Sequence, residues 1–104
     1  MSKWRRYEVL IPVQLNDGSP VPTEMIGEAT EELAEEFEGM NLDQQVQGLW
    51  HHQGVVYHDK LIRLNVDFSE SPRNRRWMRE FKARWKERLE QLEIWMISFR
   101  IEVE

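Results

Sequence analysis

Cysteine is absent from this sequence, which excludes disulfide scaffolds, cysteine metal sites and cysteine nucleophiles together. No stretch approaches the roughly 18 consecutive apolar residues that a membrane span requires. The opening Met1-Ser2-Lys3-Trp4-Arg5-Arg6 runs into a strand-like segment rather than the apolar core of a signal peptide, so a cytoplasmic protein is expected. Glycine is sparse, at five residues. None of it forms a phosphate-cradling loop, and no G-x-S-x-G nucleophile elbow occurs. No catalytic residue, cofactor or metal is assigned.

Apolar and aromatic residues are plentiful. Of 104 residues 40% are hydrophobic, with five Trp, four Phe and two Tyr. That is enough for one core, and a single domain over residues 1–104 is expected. The net charge of −5 conceals an asymmetry. Residues 23–43 carry eight acids and no base, whereas residues 71–92 carry eight bases against three acids.

Residues 4–15 read as a strand, because Tyr7, Val9, Ile11, Val13 and Leu15 alternate with mostly polar neighbours. Asn16-Asp17-Gly18-Ser19-Pro20 reads as a turn. A first helix is expected from about Glu24 to Glu38, capped by Thr23 and ended by Gly39, with Ile26, Ala29, Leu33, Phe37 and Met40 as its apolar stripe. A second strand covers Leu42 to His51. A hairpin turn near Gln53-Gly54 leads into a third strand ending at Phe68; His58-Asp59 is the alternative turn. Ser71-Pro72 opens a second helix reaching about Leu92, with Trp77, Phe81, Trp85, Leu89 and Leu92 on its apolar side. A fourth strand runs from Ile94 to Val103 and puts Trp95, Ile97, Phe99, Ile101 and Val103 on one face.

This order predicts an α+β, ferredoxin-like βαββαβ sandwich: a four-stranded antiparallel sheet with two helices on one face. The other face is then open. The residues expected there are Leu10, Pro12, Ile94 and Met96, joined by Trp50, Tyr57 and Leu61 if the hairpin turns at Gln53-Gly54. Large apolar groups on an open sheet face mark an interaction surface, and a homodimer through that face is the leading expectation. The chain resembles the ferredoxin-like superfold over nearly its whole length, and that superfold hosts many unrelated functions. The segments Trp50 to Asp59 and Glu93 to Glu104 also resemble small uncharacterised bacterial proteins of similar length.

Three other constellations carry alternatives. The first helix repeats acids at Glu24, Glu28, Glu32 and Glu36 without a base to relieve them. Either the basic second helix beside it or a basic partner protein would do so. Arg73, Arg75, Arg76 and Arg79 with Ser71 crowd the start of the second helix, a place for a phosphate or nucleic acid, with Lys3, Arg5 and Arg6 adding charge. His51, His52 and His58, next to Asp59, gather in the hairpin, and Asp17 follows the first strand. A metal-dependent hydrolase or nuclease would draw on these. The commoner outcome is a histidine-bearing surface hairpin and an Asp-Gly turn.

Overall fold

Two helices can shield only one face of a four-stranded sheet, so the fold turns on which residues each strand directs toward them. The computed structural model describes residues 3–37, 39 and 41–104, without the side chains of residues 42–46, 50 and 58. Its elements are β1 (Trp4–Pro12), α1 (Thr23–Phe37), β2 (Asn41–His52), β3 (Val55–Ser69), α2 (Pro72–Arg88) and β4 (Met96–Ile101). The sheet order is β2-β3-β1-β4, and every neighbouring pair is antiparallel. Met40, expected on the first helix's stripe, lies outside the described residues.

The core is one layer of side chains between the sheet and the helix pair. β1 contributes Tyr7, Val9 and Ile11; β3 contributes Leu64, Val66 and Phe68. These share a face because Tyr7 pairs with Val66 and Val9 with Leu64. Ala29 and Leu33 of α1 and Met78, Phe81 and Trp85 of α2 close over them. Phe37 stacks on Phe68 at 4.1 Å between ring centres, and Trp77 meets Phe37 edge-on at 5.1 Å. That aromatic chain fastens both helices to the middle of the sheet.

The hairpin turns at Gln53-Gly54, where both residues have left-handed φ values of 50° and 79°. Two consecutive left-handed residues make the turn that matches strand twist. It sets His51 opposite Val56 and Leu49 opposite His58. His58-Asp59 lies within β3 and makes no turn. β1 pairs with β3 only from Leu61 onward, so the distal part of the β2–β3 hairpin reaches past the rest of the sheet as an arm. The long axis of the molecule measures 47 Å.

The strands are shorter than expected: β1 stops at Pro12 rather than Leu15, and β4 spans Met96–Ile101 rather than Ile94 to Val103. Two further expectations need correction. Helix α2 stops at Arg88 rather than near Leu92. Glu90 adopts φ 53°, and the Gln91 and Glu90 N–H groups donate to the Lys86 and Glu87 carbonyls. This is a left-handed helix stop built without the usual glycine. The second correction concerns β4. Val9 pairs with Met96 and Tyr7 with Ser98. Ile94 is 1% exposed and Met96 packs on the core, so neither belongs to the open face. Trp95, Ile97 and Phe99 point away from the helices, at 64%, 40% and 41% exposure. Side chains alternate along a strand, so this assignment inverts the whole strand.

The inversion predicts an asymmetry in urea unfolding. Ile94→Ala should cost about 2–4 kcal/mol, as expected for an emptied core site. Trp95→Ala should stay within about 1 kcal/mol. The reverse ranking would mean that β4 presents its other face to the helices.

Candidate functional site

The acidic face of α1 finds its counter-charges on α2. Arg88 Nη1 lies 2.7 Å from Glu28 Oε2, Arg84 Nη2 3.2 Å from Glu32 Oε2, and Arg73 Nη2 3.1 Å from Glu36 Oε1. The Trp85 indole N–H also donates to Glu32 Oε2, at 2.9 Å. Arg88 stacks over the Trp85 ring, 4.2 Å from its centre. Of the two sources of relief expected for the acids, the structure supplies the neighbouring helix. Each pair is partly exposed and contributes only about 0.2–1 kcal/mol, but together they align the helices.

Two of the arginines at the start of α2, Arg73 and Arg75, are engaged by acids. Ser71 caps the helix, its Oγ accepting from the Asn74 N–H at 3.0 Å. Glu70 sits among three guanidinium groups: Arg5 Nε at 3.2 Å, Arg75 Nη2 at 2.8 Å and Arg100 Nε at 3.3 Å. Burial raises the Glu70 carboxyl pKa, but Arg5, Arg75 and Arg100 outweigh it and hold the value below its ordinary 4.5. The chain thus supplies its own anion to this arginine cluster. Arg76 and Arg79 line a hollow beside Ser71 and Arg75, with Glu70 in its wall.

The uncovered sheet face divides into unlike parts. Its centre is charged: Arg6 grips Asp67 through two hydrogen bonds of 2.7 and 2.9 Å, and Glu8 faces Arg63 at 3.8 Å. Apolar surface lies to either side. Along the edge strand β4 run Ile97 and Phe99. At the end of the sheet nearest the arm, Leu10, Pro12, Leu61 and Trp95 line a half-open cavity of about 360 Å³, with Gly48, Leu49, Asp59, Gln91 and Glu93 around them. Three of the expected open-face residues, Leu10, Pro12 and Leu61, are brought together there. Tyr57 sits on the arm, and the Trp50 side chain lies outside the described residues.

A second cavity of about 580 Å³ opens where the arm passes the loops after β1 and α2. His51, His52, Tyr57, Asp59 and Lys60 line it from the arm, and Gln14, Asn16 and Gly18 from the loop after β1, so Asp59 borders both cavities. Asn16 ties the two loops together, its Nδ2 donating to the Glu90 carbonyl at 2.7 Å. Asp17 is turned inward on its own turn: its Oδ1 accepts from the Ser19 side chain and from the Ser19 N–H. Those bonds lower its carboxyl pKa. Among the described residues no group of three His, Cys, Asp or Glu side chains is arranged to hold a metal ion.

Sequence reasoning missed Trp95, Ile97 and Phe99 as surface residues. Positions 95 to 103 are apolar at every odd number, whereas the other face turns polar at Ser98, Arg100 and Glu102, so alternation points to the wrong face for the core. The one available signal was the alternation of charge along β1, where Arg6 and Glu8 mark the outer face that Trp95, Ile97 and Phe99 share.

Among solved structures, the chain is similar to CutA1 from Oryza sativa, with a TM-score of 0.68 and 13% identity over 99% of this chain and 84% of that one. It is also similar to a phage SAM lyase in complex with S-methyl-5′-thioadenosine, with a TM-score of 0.70 and 8% identity over 100% of this chain and 93% of that one. At such identities the likeness shows the fold alone, and it supports a ferredoxin-like one. No family model and no curated protein matches the chain. Among the described residues no helix is long and apolar enough to cross a membrane.

The Glu70 cluster predicts a specific acid sensitivity. A carboxyl whose folded pKa lies below its unfolded value stabilises the fold above the unfolded value, 4.5 here, and loses that effect as pH falls through the folded value. Glu70→Gln should therefore destabilise the protein at neutral pH, with the gap to wild type narrowing as urea unfolding is repeated below about pH 4. A gap that is constant across that range would contradict the pairing.

Proposed function

We propose that this chain is one ferredoxin-like domain acting as a non-catalytic protein-interaction module, and that its partner is a second copy docked on the open sheet face along β4. The central position of β1 and β3 and the two likenesses above support the ferredoxin-like reading. One observation carries the docking. The edge strand holds Ile97 and Phe99 in a row with Trp95, all turned away from the core. An apolar edge strand left in water invites pairing with another chain. A second copy fits because a twofold axis lets one surface meet itself, with the same row on both sides. The Arg6–Asp67 and Glu8–Arg63 pairs beside that row would form the polar border expected of such an interface.

The arginines at the start of α2 support a phosphate or nucleic-acid reading less well, because Glu28, Glu32, Glu36 and Glu70 already engage much of the charge on that helix.

Light scattering tests the proposal. The wild type should have the mass of a dimer, and Ile97→Lys with Phe99→Glu should yield a folded monomer with unchanged circular dichroism. A wild type that remains monomeric at high micromolar concentration would overturn the reading. Met96→Glu is unsuitable as a probe of this surface, since it would place a carboxylate against the core.

A further inference from the structure

We infer that the cavity at the arm end of the open face is a binding site for a small organic cation with an apolar or aromatic body. Leu10, Pro12 and Leu61 give it an apolar lining, and Trp95 lines it as well. Its volume, about 360 Å³, lies at the lower end of the range for small-molecule sites.

Two features point to the ligand's charge. Asp59 projects from β3 on the same face as Leu61, two residues away, and lines the cavity half-buried. Among the described residues no cation or hydrogen-bond donor engages its carboxylate. Glu93, the other acid at the rim, is occupied: Lys82 Nζ lies 2.9 Å from it and the Ile94 N–H donates to it. The cavity therefore brings one uncommitted negative charge together with a tryptophan and apolar side chains. Carboxylate and aromatic ring together select ammonium and related cations, through a charge-assisted hydrogen bond and attraction to the ring face.

The third feature is Gly48, paired with Asp59 across β2 and β3. Glycine weakens a strand interior and marks a place where something approaches closely. A Cβ at Gly48 would stand 3.1 Å from Leu61 Cδ1 and 3.9 Å from Asp59 Cβ. The missing side chain keeps the cavity open beside the carboxylate.

This inference goes beyond the docking of a second copy. Trp95 belongs to both surfaces, but Ile97 and Phe99 do not line the cavity, so a variant at those two positions separates the two readings. Phenethylamine and phenylacetate, which share a ring and differ in the sign of their charge, serve as probes. They are titrated against the full chain at neutral pH while the Trp95 indole N–H is followed by NMR, in the wild type and in the Ile97→Lys, Phe99→Glu variant. Phenethylamine should shift the Trp95 signal saturably in both proteins, and phenylacetate should not. Asp59→Asn should weaken phenethylamine binding about tenfold, the size expected on losing a charge-assisted hydrogen bond, with the rest of the spectrum unchanged. Equal responses to the two probes would overturn the inference, as would wild-type affinity in Asp59→Asn. Absence of phenethylamine binding together with weakened self-association of Asp59→Asn would also overturn it, and would give the cavity to the second copy.

Discussion

Phe81, Trp85 and Leu33 lie between the helix pair and the central strands with almost no exposure to solvent, and the remainder of the molecule follows from that layer. Two helices must sit side by side to cover β1 and β3. That places the acidic helix α1 beside an arginine-rich neighbour. A helix with glutamates on successive turns and no internal base is poorly stabilised by itself. Here Glu28, Glu32 and Glu36 meet Arg88, Arg84 and Arg73. Packing and electrostatics thus select the same arrangement, which is the mutual consistency expected of a sequence with one preferred fold.

With the helices committed to one side, the opposite side of the sheet must face water or a partner. β1 and β3 meet that requirement with ion pairs across the strands. The edge strand β4 meets it with aromatic and branched apolar groups instead. The difference makes the edge of the sheet more apolar than its centre on this side. The cavity bounded by Trp95, Leu61 and Asp59 sits at the end of the same face, where the arm continues β2 and β3 past the last paired residue of β1.

Much of this was legible in the sequence. The element order followed from two clear periodicities and from the Ser71-Pro72 and Gln53-Gly54 punctuation. The hairpin pairing of Leu49 with His58 followed from the turn alone. The charge match between helices followed from counting acids and bases. The orientation of β4 did not, because the row Trp95, Ile97, Phe99, Ile101 and Val103 is uniformly apolar while the row of Ile94 and Met96 continues with Ser98 and Arg100, a pattern that points the wrong row toward the helices. The core nevertheless takes Ile94 and Met96. The end of α2 was hidden because Glu90 takes a left-handed conformation that glycine usually marks. The cavity was only half legible: Leu10, Pro12 and Leu61 were placed on the open face, but Asp59 and Gly48 gain meaning only once the strands are paired.

Amide hydrogen exchange read by mass spectrometry at low and high micromolar concentration tests the central claim most directly, namely that β4 turns its apolar row outward to be covered by a second copy. Exchange over residues 95–101 should slow as concentration rises, while exchange over α2 stays the same. Exchange over β4 that is independent of concentration would contradict the account.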